Sequence, residues 1–148
     1  MDKIYNTVFE VSLRLLLLLA TDSKAANTVE RIAAIDLITL NARNFGIAEY
    51  NLHGDGDFRF GEFSLRREMV KKALQELVIN GKITLKNTNV GFCYEINESG
   101  KECCAELDTE YADEYYDILK KVIVACQNKT ERELLSLINK QPIISYQG

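Results

Sequence analysis

The chain has a single histidine, His53, and four cysteines that never fall into a Cys-x-x-Cys pair. The first scarcity leaves no second imidazole to act as base or ligand, and a zinc ion would have to draw distant, unpaired cysteines around one ring. Reduced thiols in a cytosolic setting are expected at Cys93, Cys103, Cys104 and Cys126. The adjacent Cys103 and Cys104 are expected to be inert, because a disulfide between neighbours is strained. A Walker loop and a nucleophile elbow are also missing, so no catalytic residue, cofactor or substrate pocket is expected. Positive charge is in short supply: 18 Lys and Arg against 22 Asp and Glu give a net charge of -4. No global field gathers a polyanion, and any nucleic-acid contact would rest on a local patch. Long apolar runs are absent too. The stretch Val11 to Ala20 contains Arg14 and is followed by Thr21-Asp22-Ser23-Lys24, short of the roughly 20 apolar residues a membrane helix needs. With Glu10 ahead of it, the same run does not read as a secretory leader, and a buried first helix is expected.

What remains is a chain of 148 residues, 47% of them hydrophobic, enough for one well-buried domain. Thr7 and Glu10 form a capping box, and the helix they open presents Phe9, Leu13, Leu16, Leu17 and Ala20 as its expected core face. A second helix is expected from Asn27 as cap, with Glu30 three residues on and Arg43 and Asn44 closing it. Within it Asp36 is an acid among apolar residues, either a rim residue or the partner of an arginine. Ser64 is expected to cap a third helix, Leu65 to Asn80. Leu65, Met69, Ala73, Leu74, Leu77 and Val78 share one face of it, and Gly81 ends it. A hairpin follows: Ile83 to Lys86, a turn through Asn87, Thr88 and Asn89, then Gly91 to Ile96. The expected fold class is α+β, mostly helical, a winged helix-turn-helix over residues 1–97 with a helical extension over 98–148 packing on it. Arg66, Arg67, Lys71, Lys72 and Lys86 are candidate nucleic-acid-binding residues. Against that stands a solvated helix face relieved by Glu62, Glu68 and Glu76.

The connection over 45–63 is far longer than a helix-turn-helix turn. Four phenylalanines (Phe45, Phe58, Phe60, Phe63) are expected to anchor it as an ordered loop, with a short helix near Ile47 to Asn51. His53, Asp55 and Asp57 offer metal donors, but a calcium loop needs further spaced oxygens and a closing glutamate, so a glycine-rich turn is the simpler reading. The run Asn51-Leu52-His53-Gly54-Asp55, then Phe58-Arg59-Phe60, Glu62-Phe63, Arg66-Arg67-Glu68, and Ala73-Leu74 with Leu77-Val78 and Gly81, resembles the small middle component of ABC-three-component systems. That family is similar in role to the small subunit of Lamassu defence systems. The likeness runs from the leucine-rich first helix to Glu131-Arg132-Glu133-Leu134-Leu135. It implies a bacterial accessory subunit working with an SMC- or Rad50-like ATPase and a separate effector against phage or other foreign DNA. It implies no catalytic residues.

Beyond the hairpin, Ser99 and Glu102 make a further capping box, followed by a long helical tract. Leu107, Tyr111, Tyr115, Ile118, Val122 and Ala125 form one stripe; Ala112, Tyr116, Leu119, Ile123 and Cys126 form another. Two stripes exceed one buried face. Either the whole surface packs on the winged domain, or Tyr111, Tyr115, Tyr116, Ile118 and Val122 meet another chain, the ATPase or a second copy. Thr130 and Glu133 open a last helix before Pro142, after which the chain is expected to fray. Two functions follow: an accessory subunit of an ATPase complex, or a winged-helix DNA-binding regulator.

Overall fold

The computed structural model describes residues 7–23, 25–53 and 61–147. Among these, six helices and one antiparallel hairpin make the architecture α+β and mostly helical. The first helix, α1, is Val8–Thr21, and the Thr7 hydroxyl accepts from the Glu10 amide at 3.1 Å. Its inward side carries Val11, Arg14, Leu15, Leu16, Leu18 and Leu19, while Phe9 stands 69% exposed. Of the expected face Leu16 is buried and Leu17 partly so, but Phe9 is not, because a leucine run is apolar on every side and spacing alone does not choose which side is covered.

The second helix, α2 (Val29–Leu40), is capped by Thr28, whose hydroxyl accepts from the Arg31 amide, and not by Asn27. Asn27 has other partners: its side-chain amide donates to the Asp22 carbonyl, and its own carbonyl accepts from the Tyr94 amide. Every residue from Arg31 to Leu40 is buried, so α2, rather than α1, is the centre of the fold. After it, the Ile47 and Ala48 amides both turn back to the Ala42 carbonyl. No helix forms at 47–51.

The third helix, α3, runs Gly61–Ile79. Starting three residues before Ser64, it leaves that serine inside the helix and exposed, turns Phe63 inward with Val70, Ala73, Leu74 and Leu77, and leaves Leu65 74% exposed. Gly81 ends it at φ +72°, with the Lys82 amide donating to the Leu77 carbonyl. Only a glycine takes that conformation without strain. The hairpin pairs β1 (Ile83–Thr88) with β2 (Gly91–Ile96) from Ile83↔Ile96 to Thr88↔Gly91. Its turn is therefore Asn89-Val90, held by Thr88, whose hydroxyl donates to the Gly91 carbonyl and accepts from the Val90 amide. The α1–α2 link lies along the free side of β2 through the Tyr94–Asn27 bond.

Helix α4 (Glu98–Ala105) is capped by Asn97, two residues before the expected Ser99. Its first turn meets the base of the hairpin at the buried Gly100, where a Cβ would lie 2.3 Å from the Lys82 carbonyl oxygen. The expected single tract is broken at 106–109, and α5 (Glu110–Cys126) restarts from Thr109. The Thr130–Glu133 box closes in both directions, at 2.8 and 3.1 Å. It opens α6 (Glu131–Gln147), which contains Pro142 instead of stopping at it. Both α5 and α6 pack on α2. They supply Tyr115, Ile118, Leu119, Val122, Leu134 and Ile138 to the same apolar core.

Candidate functional site

The charged residues most deeply buried meet where α1, α2 and α5 pack together. Arg14 and Asp36, each 2% exposed, form a two-armed pair: Nε donates to Oδ1 at 3.0 Å and an η-nitrogen to Oδ2 at 3.1 Å. The Tyr115 hydroxyl donates to the same Oδ1 at 2.7 Å. Burial alone would push the Asp36 carboxyl up, but the Arg14 charge and bonds, with Tyr115 and the charge of Arg66, outweigh it and hold the group below its ordinary value. Burial and the neighbouring Asp36 charge push Tyr115 far up. Tyr111 is pushed up to about 12, chiefly by burial. Its hydroxyl lies 2.6 Å from His53 Nε2, with the two rings stacked. One turn further along α5, Tyr50 donates to Glu114. Residues 50–53 of the long connection are thus fastened to α5, on a polar chain leading from His53 through Tyr111 towards the buried ion pair. These groups hold elements together.

Of the motif residues, His53 is placed by that bond, whereas Asp55, Phe58, Arg59 and Phe60 lie outside the described residues, as does Asp57. Among the described residues no group of three His, Cys, Asp or Glu side chains stands close enough to hold a metal ion. The four cysteines are free thiols.

The basic residues do not form one uncommitted face. Arg66 is half-buried and lends its charge to Asp36. Arg67 is bonded to Glu30 of α2 and to Glu68, so it fastens α3 to α2. Lys86 reaches Glu95 across the hairpin at 2.6 Å. Lys71 and Lys72 are exposed and make no ion pair among the described residues.

The tail residues singled out for a partner also divide. Tyr115, Ile118 and Val122 are buried within the monomer, because α2 and α1 cover the stripe that bears them. That corrects their reading as surface groups. Tyr111 is half-buried, and Tyr116 is 40% exposed with the Lys120 amine 4.5 Å above its ring. Among the described residues, large apolar side chains also stand exposed at Phe9, Leu65, Ile79 and Val124 on the helices and at Leu85, Val90 and Phe92 on the hairpin. Sequence reasoning noted Asp36 but did not name Arg14 as its partner. The signal was there, in a cation within the apolar stretch of α1 and an acid within that of α2.

The fold is α+β, and no helix among the described residues is long and apolar enough to cross a membrane. The chain belongs to the family described as ABC-three component (ABC-3C) system Middle Component 2, whose family model matches residues 4–147. No curated protein and no solved structure matches it.

Proposed function

We propose that this chain is a non-catalytic accessory subunit that binds an SMC- or Rad50-like ATPase and works with a separate effector in the bacterial cytoplasm against phage or other foreign DNA. The observation that carries this reading is the family match over 4–147; a middle component of a three-component system acts with partner subunits. The exposed phenylalanines and leucines support it, since large apolar side chains left in water on several elements suit surfaces that are covered on assembly. The commitment of Arg14, Asp36, Tyr111 and Tyr115 to one another supports the absence of chemistry. We read α1 to α3 with the hairpin as a winged-helix module; three helices followed by a hairpin, with the α1–α2 link along β2, support that reading. Co-expression with an SMC- or Rad50-like ATPase from the same genome tests the proposal. The two should co-purify at moderate salt, and an ATPase that purifies without this chain would remove the basis for the assembly.

A second reading, contact with DNA, is favoured by Lys71 and Lys72, exposed and without ion pairs among the described residues. Two free cations neutralise few phosphates on a chain of net charge -4, so this reading places DNA in the assembled complex and not on the isolated chain.

A further inference from the structure

The two most exposed large apolar side chains among the described residues both stand on α3, Leu65 at 74% and Ile79 at 76%. Residues 65 and 79 are about four helical turns apart, so they share one outward stripe roughly 21 Å long. Its opposite side is committed, because Val70, Ala73, Leu74 and Leu77 are buried in the core that α3 shares with α1 and α2. Between its apolar ends the stripe carries Glu68, Lys72 and Glu76, all exposed. Lys72 and Glu76 make no ion pair among the described residues, and Glu68 is bonded to Arg67. The order apolar, acid, base, acid, apolar is the same from either end, and so are the steps of three, four, four and three residues.

We infer that α3 pairs two copies of this chain, antiparallel about a two-fold axis at Lys72. A two-fold contact sets one surface against itself reversed, and a stripe that reads alike in both directions meets that condition. Leu65 then packs on Ile79 of the second copy at each end, which covers the apolar side chains the monomer leaves in water. Glu68 and Glu76 lie about 40° to either side of Lys72 around the helix axis, so the glutamates that meet at one level stand on opposite flanks. Lys72 of each copy reaches between them, towards Glu76 of the other. Any partner helix could bury two aliphatic side chains, but a palindrome of charge, apolar ends and spacing fits a second copy. Pairing occupies Lys72, which contact with DNA needs free, and leaves the binding of an ATPase to other surfaces.

One pair of helices buries less than the roughly 1,600 Å² of a standard interface, so a dissociation constant on the order of micromolar is expected. The test is sedimentation equilibrium of the full chain at concentrations up to about 100 μM, with thermal melting of each variant. The variants are Leu65→Asp, Ile79→Lys, Lys72→Glu, the double exchange Lys72→Glu with Glu76→Lys, and the control Phe9→Asp. All these side chains are exposed, so every variant should melt with wild type. Wild type and Phe9→Asp should pass from monomer to dimer across the series. Leu65→Asp and Ile79→Lys should each weaken pairing roughly tenfold or more, because the two-fold axis counts every change twice. Lys72→Glu should weaken it several-fold, and the double exchange should recover it by restoring opposite charges across the axis. A wild type that stays monomeric throughout overturns the inference. So does a dimer indifferent to Leu65→Asp and Ile79→Lys, a dimer lost in Phe9→Asp, or a Lys72→Glu loss that the double exchange does not recover.

Discussion

Asp36→Ala removes the acceptor of two guanidinium bonds, 3.0 and 3.1 Å, and of the 2.7 Å bond from Tyr115. Arg14 is then a cation 2% exposed without its counter-charge. Deleting one partner of a buried pair costs about 3–5 kcal/mol, and an orphaned buried hydroxyl roughly 1–3 kcal/mol more. A domain of this size is stable by about 5–15 kcal/mol, so Asp36→Ala should be at or near the limit of folding. The triple variant Arg14→Met, Asp36→Leu, Tyr115→Phe removes every stranded group together and should recover most of the loss, because an apolar replacement of a buried pair is often neutral. Urea unfolding followed by far-UV circular dichroism measures all three proteins. If Asp36→Ala unfolds within about 1 kcal/mol of wild type, the cluster does not hold the helices as described. The same pair sets an acid limb. The folded Asp36 carboxyl lies below its ordinary value. Its contribution is therefore complete above the unfolded value of about 3.9 and disappears as pH falls through the lower folded value. The stability gap between wild type and Asp36→Asn should narrow below about pH 4; a gap that stays constant down to pH 2 contradicts the assignment.

Gly100→Ala should destabilise the chain although alanine favours a helix by about 1 kcal/mol. The new Cβ meets the Lys82 oxygen at 2.3 Å and Ile96 Cγ1 at 2.6 Å, an overpacking of about 1–3 kcal/mol, and a raised melting temperature would sink this reading. On the basic helix, charge reversal of Arg66 or Arg67 disturbs groups bound to α2, so Lys71→Glu with Lys72→Glu is the cleaner pair. It should leave stability within about 0.5 kcal/mol and weaken the already weak, salt-sensitive binding of duplex DNA. Sequence-specific binding by the isolated chain near 10⁻⁸ M or tighter at physiological salt would instead make it a regulator.

Local signals with one meaning read well. Thr7, Thr130 with Glu133, and Gly81 are legible because a cap or a left-handed turn depends on a few neighbouring atoms. Ser64 misled for the opposite reason: α3 starts earlier, with Phe63 turned inward, and the helices α3 packs on, α1 and α2, are distant in sequence. The leucines of α1 and the two stripes of α5 could not be oriented, since which side is covered depends on helices distant in the chain. The ion pair was half legible. Asp36 announced the need for an arginine, but only the crossing of α1 and α2 identifies it as Arg14.

The wholly buried stretch of α2, Arg31 to Leu40, has a consequence for synthesis. Its cover comes partly from α5 and α6, through Tyr115, Leu119, Leu134 and Ile138. At about 5–20 residues per second, roughly 5–20 s separate the making of Leu40 from that of Ile138. Through that interval the nascent chain carries an apolar helix with no complete shelter, open to chaperones and to premature association. A stop codon late in the reading frame, before α6, would release a chain whose middle is still uncovered, so quality control at the ribosome should tolerate C-terminal truncation of this protein poorly.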